Sequence, residues 1–296
     1  MLKQKYWMLR CEEIEPELQK IINEYLKKLS LENKAEATVI KYRSVLKQFF
    51  IKYNKPLKEI TADDVLNWVN ALNTEGKSPR TVLLYINGLD GFFSFCYEEE
   101  YVDAILVKKR WRPKLSKALP KYLTSPEVAR LKLNAEKLCI RDRAIVIFAL
   151  SSGCRRSEIS NLNIENIDLD NRTALVTGKG DKERKVHFSE ECALLINEYL
   201  SNDPRNEGPL FLNKYGTRLS DARIYEIVVK LRGMANLPSN FSPHWLRHTY
   251  GREMMSRGAD INFIAEELGH SNLDTTRVYT KIPTDELIAE YNIYME

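Results

Sequence analysis

A basic segment that contains two prolines divides this chain and limits how it can fold. Residues 108–121 carry seven lysines and arginines and no acidic residue, while Pro113 and Pro120 interrupt any helix there. A length of 296 residues favours about two domains. We therefore predict a first domain at residues 1–107, a basic linker at residues 108–121 and a second domain at residues 122–296.

The residues before the linker predict a helical bundle. Apolar side chains recur at the helical period across residues 18–29, and residues 38–50 and 83–97 form two further amphipathic stretches. A capping pair that begins at Thr61 and a Ser-Pro step at Ser78 are typical of helix starts.

The second domain mixes helices with a small sheet. A Thr-Ser-Pro-Glu capping box begins at Thr124, and the apolar run 144–150 predicts a buried helix that ends at Gly153. Two stretches rich in β-forming residues, 173–177 and 185–188, flank a glycine turn and predict a hairpin. The expected fold class is mostly α with a small β-sheet in the second domain, which makes it α+β.

Six polar side chains of this second domain lie in short motifs. Arg155 follows the predicted helix end, and Glu158 shares a helical face with it, where the carboxylate could hold the guanidinium. Lys179 lies at the tip of the hairpin. His244 and Arg247 fall one turn apart on a helix. A second helix is predicted to begin at Asp260 and end at Gly269, so that His270 directly follows it, and Tyr279 comes after. The candidate catalytic residues are thus Arg155, Lys179, His244, Arg247, His270 and Tyr279, with Glu158 in support.

This set of side chains suits one phosphodiester. A tyrosine hydroxyl that attacks phosphorus needs charge neutralisation on the non-bridging oxygens. The guanidinium group supplies it, because it is always charged and its planar donors match phosphate oxygens. Two arginines and two histidines can therefore replace a metal clamp.

Four motifs, in this order along the chain, resemble those of the tyrosine recombinase, or phage integrase, family, closest to its Xer-like members. They are Gly153-Cys154-Arg155-Arg156-Ser157-Glu158, Gly178-Lys179-Gly180, His244-Trp245-Leu246-Arg247-His248-Thr249, and Leu268-Gly269-His270 through Tyr279. The resemblance implies that Tyr279 is the nucleophile and forms a covalent 3′-phosphotyrosyl bond. It also implies that Arg155 and Arg247 clamp the phosphate, that Lys179 is the general acid, and that His244 and His270 form hydrogen bonds or transfer protons.

The implied activity is site-specific breaking and rejoining of double-stranded DNA, without a metal or other cofactor. Its implied use is chromosome-dimer resolution or the integration and excision of a mobile element, and the need for an activating partner stays open. Three positions depart from the family pattern: Arg156 replaces an apolar residue, His187 a common proline and Lys281 a frequent histidine. These departures bear on the choice of target rather than on activity.

The resemblance makes the first domain a SAM-like core-binding domain, and the basic linker is expected to follow the DNA backbone. Phosphate contacts dominate affinity for DNA and are made mostly by lysine and arginine. The candidate DNA-contacting residues are Lys41, Arg43, Lys47, Lys77, Arg80, Lys108, Lys109, Arg110, Arg112 and Lys114.

The end of the chain carries an apolar stripe of Leu287, Ile288, Tyr291 and Tyr294 on a short predicted helix. Packing on its own domain is one interpretation. The family suggests instead that this helix docks on a neighbouring protomer and builds a tetramer on DNA.

Three alternatives differ in chemistry. His244 and His248 have the spacing of zinc ligands on a helix, with His270 as a third, although Trp245 stands where a zinc hydrolase would carry glutamate. A type IB topoisomerase uses the same side chains without exchanging strands. A DNA-binding protein without catalysis is disfavoured by the complete residue set.

Composition adds little to these alternatives. The five cysteines show no Cys-x-x-Cys spacing, which argues against a zinc knuckle or a disulfide framework and favours a reducing cytoplasm. We find neither an apolar run long enough to span a bilayer nor a secretory signal, and so expect no membrane partner.

Overall fold

The chain divides into two compact units, residues 1–117 and 118–296, in a computed structural model. The structure describes residues 6–115, 120–178, 182–201, 203–269 and 275–276. The division falls inside the segment predicted as a linker. Each unit has its own buried apolar core. The assignment of DNA binding to the first unit and catalysis to the second stays a prediction.

Four α-helices form the first unit. They are α1 (Pro16–Leu31), α2 (Glu36–Lys52), α3 (Ala62–Thr74) and α4 (Pro79–Glu98). The apolar residues that predicted α1 are all buried, and the predicted caps are present: Thr61 and Ser78 each accept the N–H three residues on. The predicted helical bundle is therefore confirmed.

Aromatic side chains fill the core of this unit. Phe49 and Phe50 of α2 make edge contacts with Phe92 and Phe93 of α4, at ring-centroid distances of 5.5 Å for Phe50–Phe92 and 6.0 Å for Phe49–Phe93. Trp68 of α3 packs edge-on against Phe49 at 5.2 Å. Edge-to-face pairs of this kind add to the free energy gained by burial alone.

Two predicted DNA contacts, Arg43 and Arg112, have intramolecular partners. Arg43 donates from Nη1 to the backbone carbonyls of Tyr6 at 2.6 Å and Met8 at 3.3 Å, so its guanidinium ties the N-terminal segment to α2. Arg112 donates from Nη2 to Asp90 of α4 at 2.7 Å. Both residues stay predictions as DNA contacts, with guanidinium groups that are already bonded within the first unit. The chain around Arg112 is packed on the first unit.

The second unit combines seven helices with one three-stranded sheet among its described residues. The helices are α5 (Ser125–Ala135), α6 (Ile140–Ser152), α7 (Arg156–Asn161), α8 (Glu190–Leu200), α9 (Asp221–Met234), α10 (Pro243–Ser256) and α11 (Ile261–Leu268). The strands are β1 (Ile167–Asp168), β2 (Thr173–Thr177) and β3 (Glu183–His187), antiparallel in the order β1-β2-β3. Ala174 pairs with Val186 across the predicted hairpin, and both are buried in the core. The mostly α fold with a small sheet is confirmed.

Helix α6 is the central element of this unit. Its residues 144–150 are all buried, because it packs against α8, α10 and the sheet. It ends as predicted at Gly153, whose φ of 62° is left-handed. Helix α11 begins at the predicted cap Asp260 and ends at Gly269 with φ 58°. These two helix ends and the start of α7 lie together and position the candidate site.

No helix in the described parts of the chain is both long and apolar enough to cross a membrane.

Candidate active site

Arg155 is held by a buried carboxylate at the junction of α6 and α7. Glu158 accepts the Arg155 backbone N–H at Oε2 and its Nη1 at Oε1, both at 2.7 Å. The Glu158 side chain is only 2% exposed, whereas that of Arg155 is 36% exposed. The guanidinium of Arg155 is therefore fixed on one side by Glu158 and open to a ligand on the other.

A second arginine, Arg184 of β3, shares this carboxylate and was missed by the sequence analysis. Its Nη1 and Nη2 donate to the two oxygens of Glu158 at 2.9 Å and 3.0 Å. Burial alone would raise the pKa of Glu158, but the hydrogen bonds from Arg184 and Arg155 outweigh it and the pKa is lowered. Arg184 lies two residues before the buried Val186, so strand alternation places it on the inward face, where a cation needs an anionic partner. That alternation was the available signal.

Arg247 of α10 is a buried arginine, 2% exposed. Its Nη1 donates to the carbonyl of Gly153 at 2.8 Å, and its Nη2 donates to the carbonyl of Leu268. The guanidinium thus joins the C-terminal ends of α6 and α11. These bonds set its orientation before any ligand arrives.

His244 is the second residue of the same helix and lies beside both arginines. Partial burial of its ring, followed by the charges of Arg247 and Arg155, lowers its pKa from the ordinary value. Its ring contacts that of His248 edge-on, with centroids 4.5 Å apart. Burial and the charges of His244 and Arg247 lower the pKa of His248 to about 4. Because the pKa of His244 is lowered, its imidazole stays neutral to a lower pH than that of an ordinary histidine.

A cavity of about 410 Å³ lies between α7, α9 and α10. Arg155, His244 and Arg247 form part of its wall, and Arg156 and Tyr225 form another part. Arg156 stacks on the Tyr225 ring with its guanidinium carbon 5.6 Å from the centroid, and its Nε lies 3.3 Å from Asp221. The cavity has the positive charge and the donors that a phosphate group requires.

Lys179, His270 and Tyr279 lie outside the described residues, so the structure brings together three of the six candidate catalytic side chains and leaves the other three as predictions. The same holds for Lys281 and for the apolar stripe at residues 287–294. Among the described residues, no group of three His, Cys, Asp or Glu side chains could hold a metal. His270, the third proposed zinc ligand, is not among them.

The remaining candidate DNA contacts are on the surface of the first unit. Lys41 and Lys47 of α2, Lys77 before α4, and Arg80 at the start of α4 are exposed. Lys108, Lys109, Arg110 and Lys114 are exposed as well. Lys77 has a nearby carboxylate, since its Nζ lies 3.7 Å from Glu75.

Comparison with known proteins shows the family of this chain. The phage integrase family model matches residues 121–285, and the model for the phage integrase N-terminal SAM-like domain matches residues 21–103. Tyrosine recombinase XerA of Pyrococcus horikoshii is 35% identical over 271 residues, covering 90% of each chain. Tyrosine recombinase XerC of Thermodesulfovibrio yellowstonii is 32% identical over 267 residues, covering 86% of this chain and 89% of the relative.

Solved structures show the same fold. A XerH site-specific recombinase in a post-cleavage complex with a palindromic difH substrate has a TM-score of 0.75, at 23% identity, over 99% of this chain and 93% of its own. The Tn1549 transposon integrase in complex with a circular intermediate DNA has a TM-score of 0.73, at 16% identity, over 93% and 99%. From the matched models and the curated relatives, this chain belongs to the phage integrase family of tyrosine recombinases.

Proposed function

We propose that this chain breaks and rejoins DNA strands at a specific site through a covalent phosphotyrosyl intermediate. One observation carries the proposal: Arg155, Arg247 and His244 line a single cavity, and both arginines are oriented by contacts within the protein. The Xer recombinases that share about a third of the sequence support the same activity. Preorganised donors stabilise a transition state because they need no reorganisation when charge develops.

The two arginines act on the non-bridging oxygens of the scissile phosphate. Arg155 reaches the cavity with a partly exposed guanidinium, and Arg247 lies in its wall. Negative charge spreads over these oxygens in the transition state, and the fixed positive charges neutralise it. His244, whose lowered pKa keeps its imidazole neutral, donates or accepts one hydrogen bond beside them.

Two further roles, those of Tyr279 and Lys179, rest on the family resemblance. Tyr279 Oη attacks phosphorus and loses its proton, a P–O bond to the tyrosine forms, and the P–O5′ bond breaks. Lys179 gives a proton to the departing 5′ oxygen. The 5′ hydroxyl of a partner strand then attacks the phosphotyrosyl bond, which releases Tyr279 and joins the exchanged strands. The phosphodiester energy is conserved throughout, so no energy cofactor is required.

DNA is the partner that this activity requires. The Tn1549 integrase, which has the same fold, was solved in complex with DNA. In this chain the exposed lysines and arginines of the first unit offer phosphate contacts, and they are Lys41, Lys47, Lys77, Arg80, Lys108, Lys109, Arg110 and Lys114. Chromosome-dimer resolution, or integration and excision of a mobile element, is the proposed use.

We also propose that the apolar stripe Leu287, Ile288, Tyr291 and Tyr294 docks on a neighbouring protomer and supports a tetramer on DNA. Deleting the residues after Thr284 should abolish cooperative assembly on DNA and strand exchange, while a single protomer still binds. Unchanged assembly and exchange by the truncated chain would refute this part of the proposal.

The acid role of Lys179 has its own test. Lys179→Ala should form the covalent adduct slowly on ordinary DNA but at nearly the wild-type rate on DNA whose leaving 5′ oxygen is replaced by sulfur. A thiolate leaves without help from an acid, so only the loss of an acid is rescued. Arg155→Ala is the matched control and should stay slow on both substrates. Equal slowness of Lys179→Ala on both would remove Lys179 from the acid role.

A further inference from the structure

The last turn of α11 presents three successive backbone carbonyls to three arginines. Arg184 Nε donates to the carbonyl of Glu267 at 3.0 Å, Arg247 Nη2 to that of Leu268, and Arg155 Nη2 to that of Gly269 at 3.3 Å. The final carbonyls of a helix lack partners within the helix and carry its negative dipole end, so cations are favourable there. The C-terminus of α11 therefore helps to hold both arginines of the proposed phosphate clamp.

Glu267 is an unfavourable residue for this position. Its side chain is 5% exposed, and it places a carboxylate in the last turn of a helix, next to the negative end of the dipole. Burial of a charge is costly unless the charge is paired and hydrogen-bonded. The fold must therefore supply donors to this carboxylate.

Those donors come from β3 and α10. His187 donates to Glu267 twice, from ring Nδ1 to Oε1 at 2.8 Å and from its backbone N–H to Oε2 at 3.2 Å. Tyr250 donates from Oη to Oε2 at 3.2 Å. Burial, reinforced by the Glu267 charge, raises the pKa of Tyr250, so its hydroxyl stays a donor. The carboxylate thus joins the end of α11 to the hairpin and to α10.

Only one of the two bonds from His187 depends on its side chain. The backbone N–H would be present in any residue except proline, whereas the bond to Oε1 needs the ring nitrogen. A substitution at His187 therefore removes the ring donor and keeps the backbone donor.

We propose that His187 and Glu267 are positioning residues for the strand-cleavage reaction. The pair fixes the last turn of α11 against β3, and that turn sets the positions of Arg247 and Arg155 through the carbonyls of Leu268 and Gly269. The same turn leads along the chain to His270, and β3 leads back to Lys179. This inference rests on the proposed function, because it assigns the arginines to the scissile phosphate.

The test compares two substitutions of His187 in the full-length protein. His187→Leu removes the ring donor, whereas His187→Asn places an amide N–H close to the position of Nδ1. We expect His187→Leu to speed hydrogen exchange in the last turn of α11 and to slow adduct formation at saturating DNA, each by about fivefold. The effect is moderate because the His187 side chain is 57% exposed, so water can partly replace its donor. Asparagine should restore both rates, and DNA affinity should be the same for all three proteins.

Glu267→Gln should resemble His187→Leu, and Glu191→Gln is its matched control. Glu191 also accepts a bond at 2.7 Å, from Lys132, but its side chain is 37% exposed, against 5% for Glu267, and the pair joins α5 to α8. Glu191→Gln should change neither rate. The inference would be overturned if His187→Leu kept the wild-type rates of hydrogen exchange and adduct formation. It would also be overturned if leucine and asparagine at this position changed these rates equally. Hydrogen exchange is measured without DNA and tests the positioning of α11 by itself. If the wild-type protein forms no adduct at all, that result contradicts the proposed function alone.

Discussion

Replacing Glu158 by glutamine should destabilise the second unit far more than the same change in an exposed pair. Glu158 accepts four hydrogen bonds, two from Arg155 and two from Arg184, and it is 2% exposed. Arg184 is only 13% exposed, so water cannot compensate its charge, whereas Arg155 is partly hydrated. Removing one partner of a buried ion pair costs about 3–5 kcal/mol. Glutamine keeps one acceptor oxygen, and we therefore expect about 3 kcal/mol.

The chain contains a closely matched control for this change. Arg223 and Glu226 are also three residues apart on a helix and also 2.7 Å apart, but their side chains are 51% and 60% exposed. Exposed pairs contribute about 0–1 kcal/mol, so Glu226→Gln should be nearly neutral. The two pairs differ in burial and in the second arginine, Arg184, which binds Glu158 alone.

The assay is the free energy of unfolding of the second unit at neutral pH. Urea titration followed by hydrogen exchange of peptides from α6 and α7 separates this unit from the first, which matters because two units need not unfold together. A loss for Glu158→Gln no larger than that for Glu226→Gln would refute the account of Glu158 as the buried anchor of two arginines.

Three other substitutions test the described structure. His248 has a pKa lowered from 6.5 to about 4, so the unfolded chain binds its proton more readily and the second unit should lose up to about 3 kcal/mol as pH falls from 6.5 to 4. His248→Gln should reduce that pH dependence in thermal unfolding, and an unchanged dependence would contradict it. Arg43→Ala should lower the unfolding free energy of the first unit by about 1.5–3 kcal/mol through its lost bonds to backbone carbonyls, whereas Lys41→Ala should weaken only DNA binding. The opposite pattern would contradict the structural role of the bonds from Arg43 and favour Arg43 as a DNA contact. Gly153→Ala should cost more than Gly208→Ala in urea titration: both have positive φ, but a Cβ at Gly153 would lie 2.6 Å from an aromatic carbon of α10, and a Cβ at Gly208 meets nothing within 4 Å. Equal losses would contradict the close packing at Gly153.

The sequence predicted the helix boundaries well because those signals are local. Asp260 and Gly269 bound α11 as predicted, and Gly153 ends α6 in the left-handed conformation that glycine adopts readily. A cap depends on residues within one turn, and these can be read along the chain. The hairpin followed in the same way from its β-forming residues and its glycines.

Long-range partners could not be predicted from the same signals. Arg184 and Glu267 are far apart in sequence, and only the fold brings the Arg184 side chain to the end of α11. The sequence predicts Arg43 as a DNA contact because it is a basic residue on an amphipathic helix. The N-terminal segment, whose carbonyls it binds, gives no periodic signal. The sequence shows which side chains are charged, but it does not show which backbone carbonyls the fold brings to them.

Covalent capture on fragmented genomic DNA in the presence of EDTA tests the central claim most directly. Wild-type protein and Tyr279→Phe are incubated with the fragments, the protein is denatured, and any DNA that stays attached is sequenced. The account predicts adducts with wild type only, at one short defined sequence and through the 3′ phosphate, with Tyr279→Phe binding the same sequence reversibly. Adducts that persist with Tyr279→Phe, that form only when divalent metal is restored, or that spread over DNA without preference would contradict it.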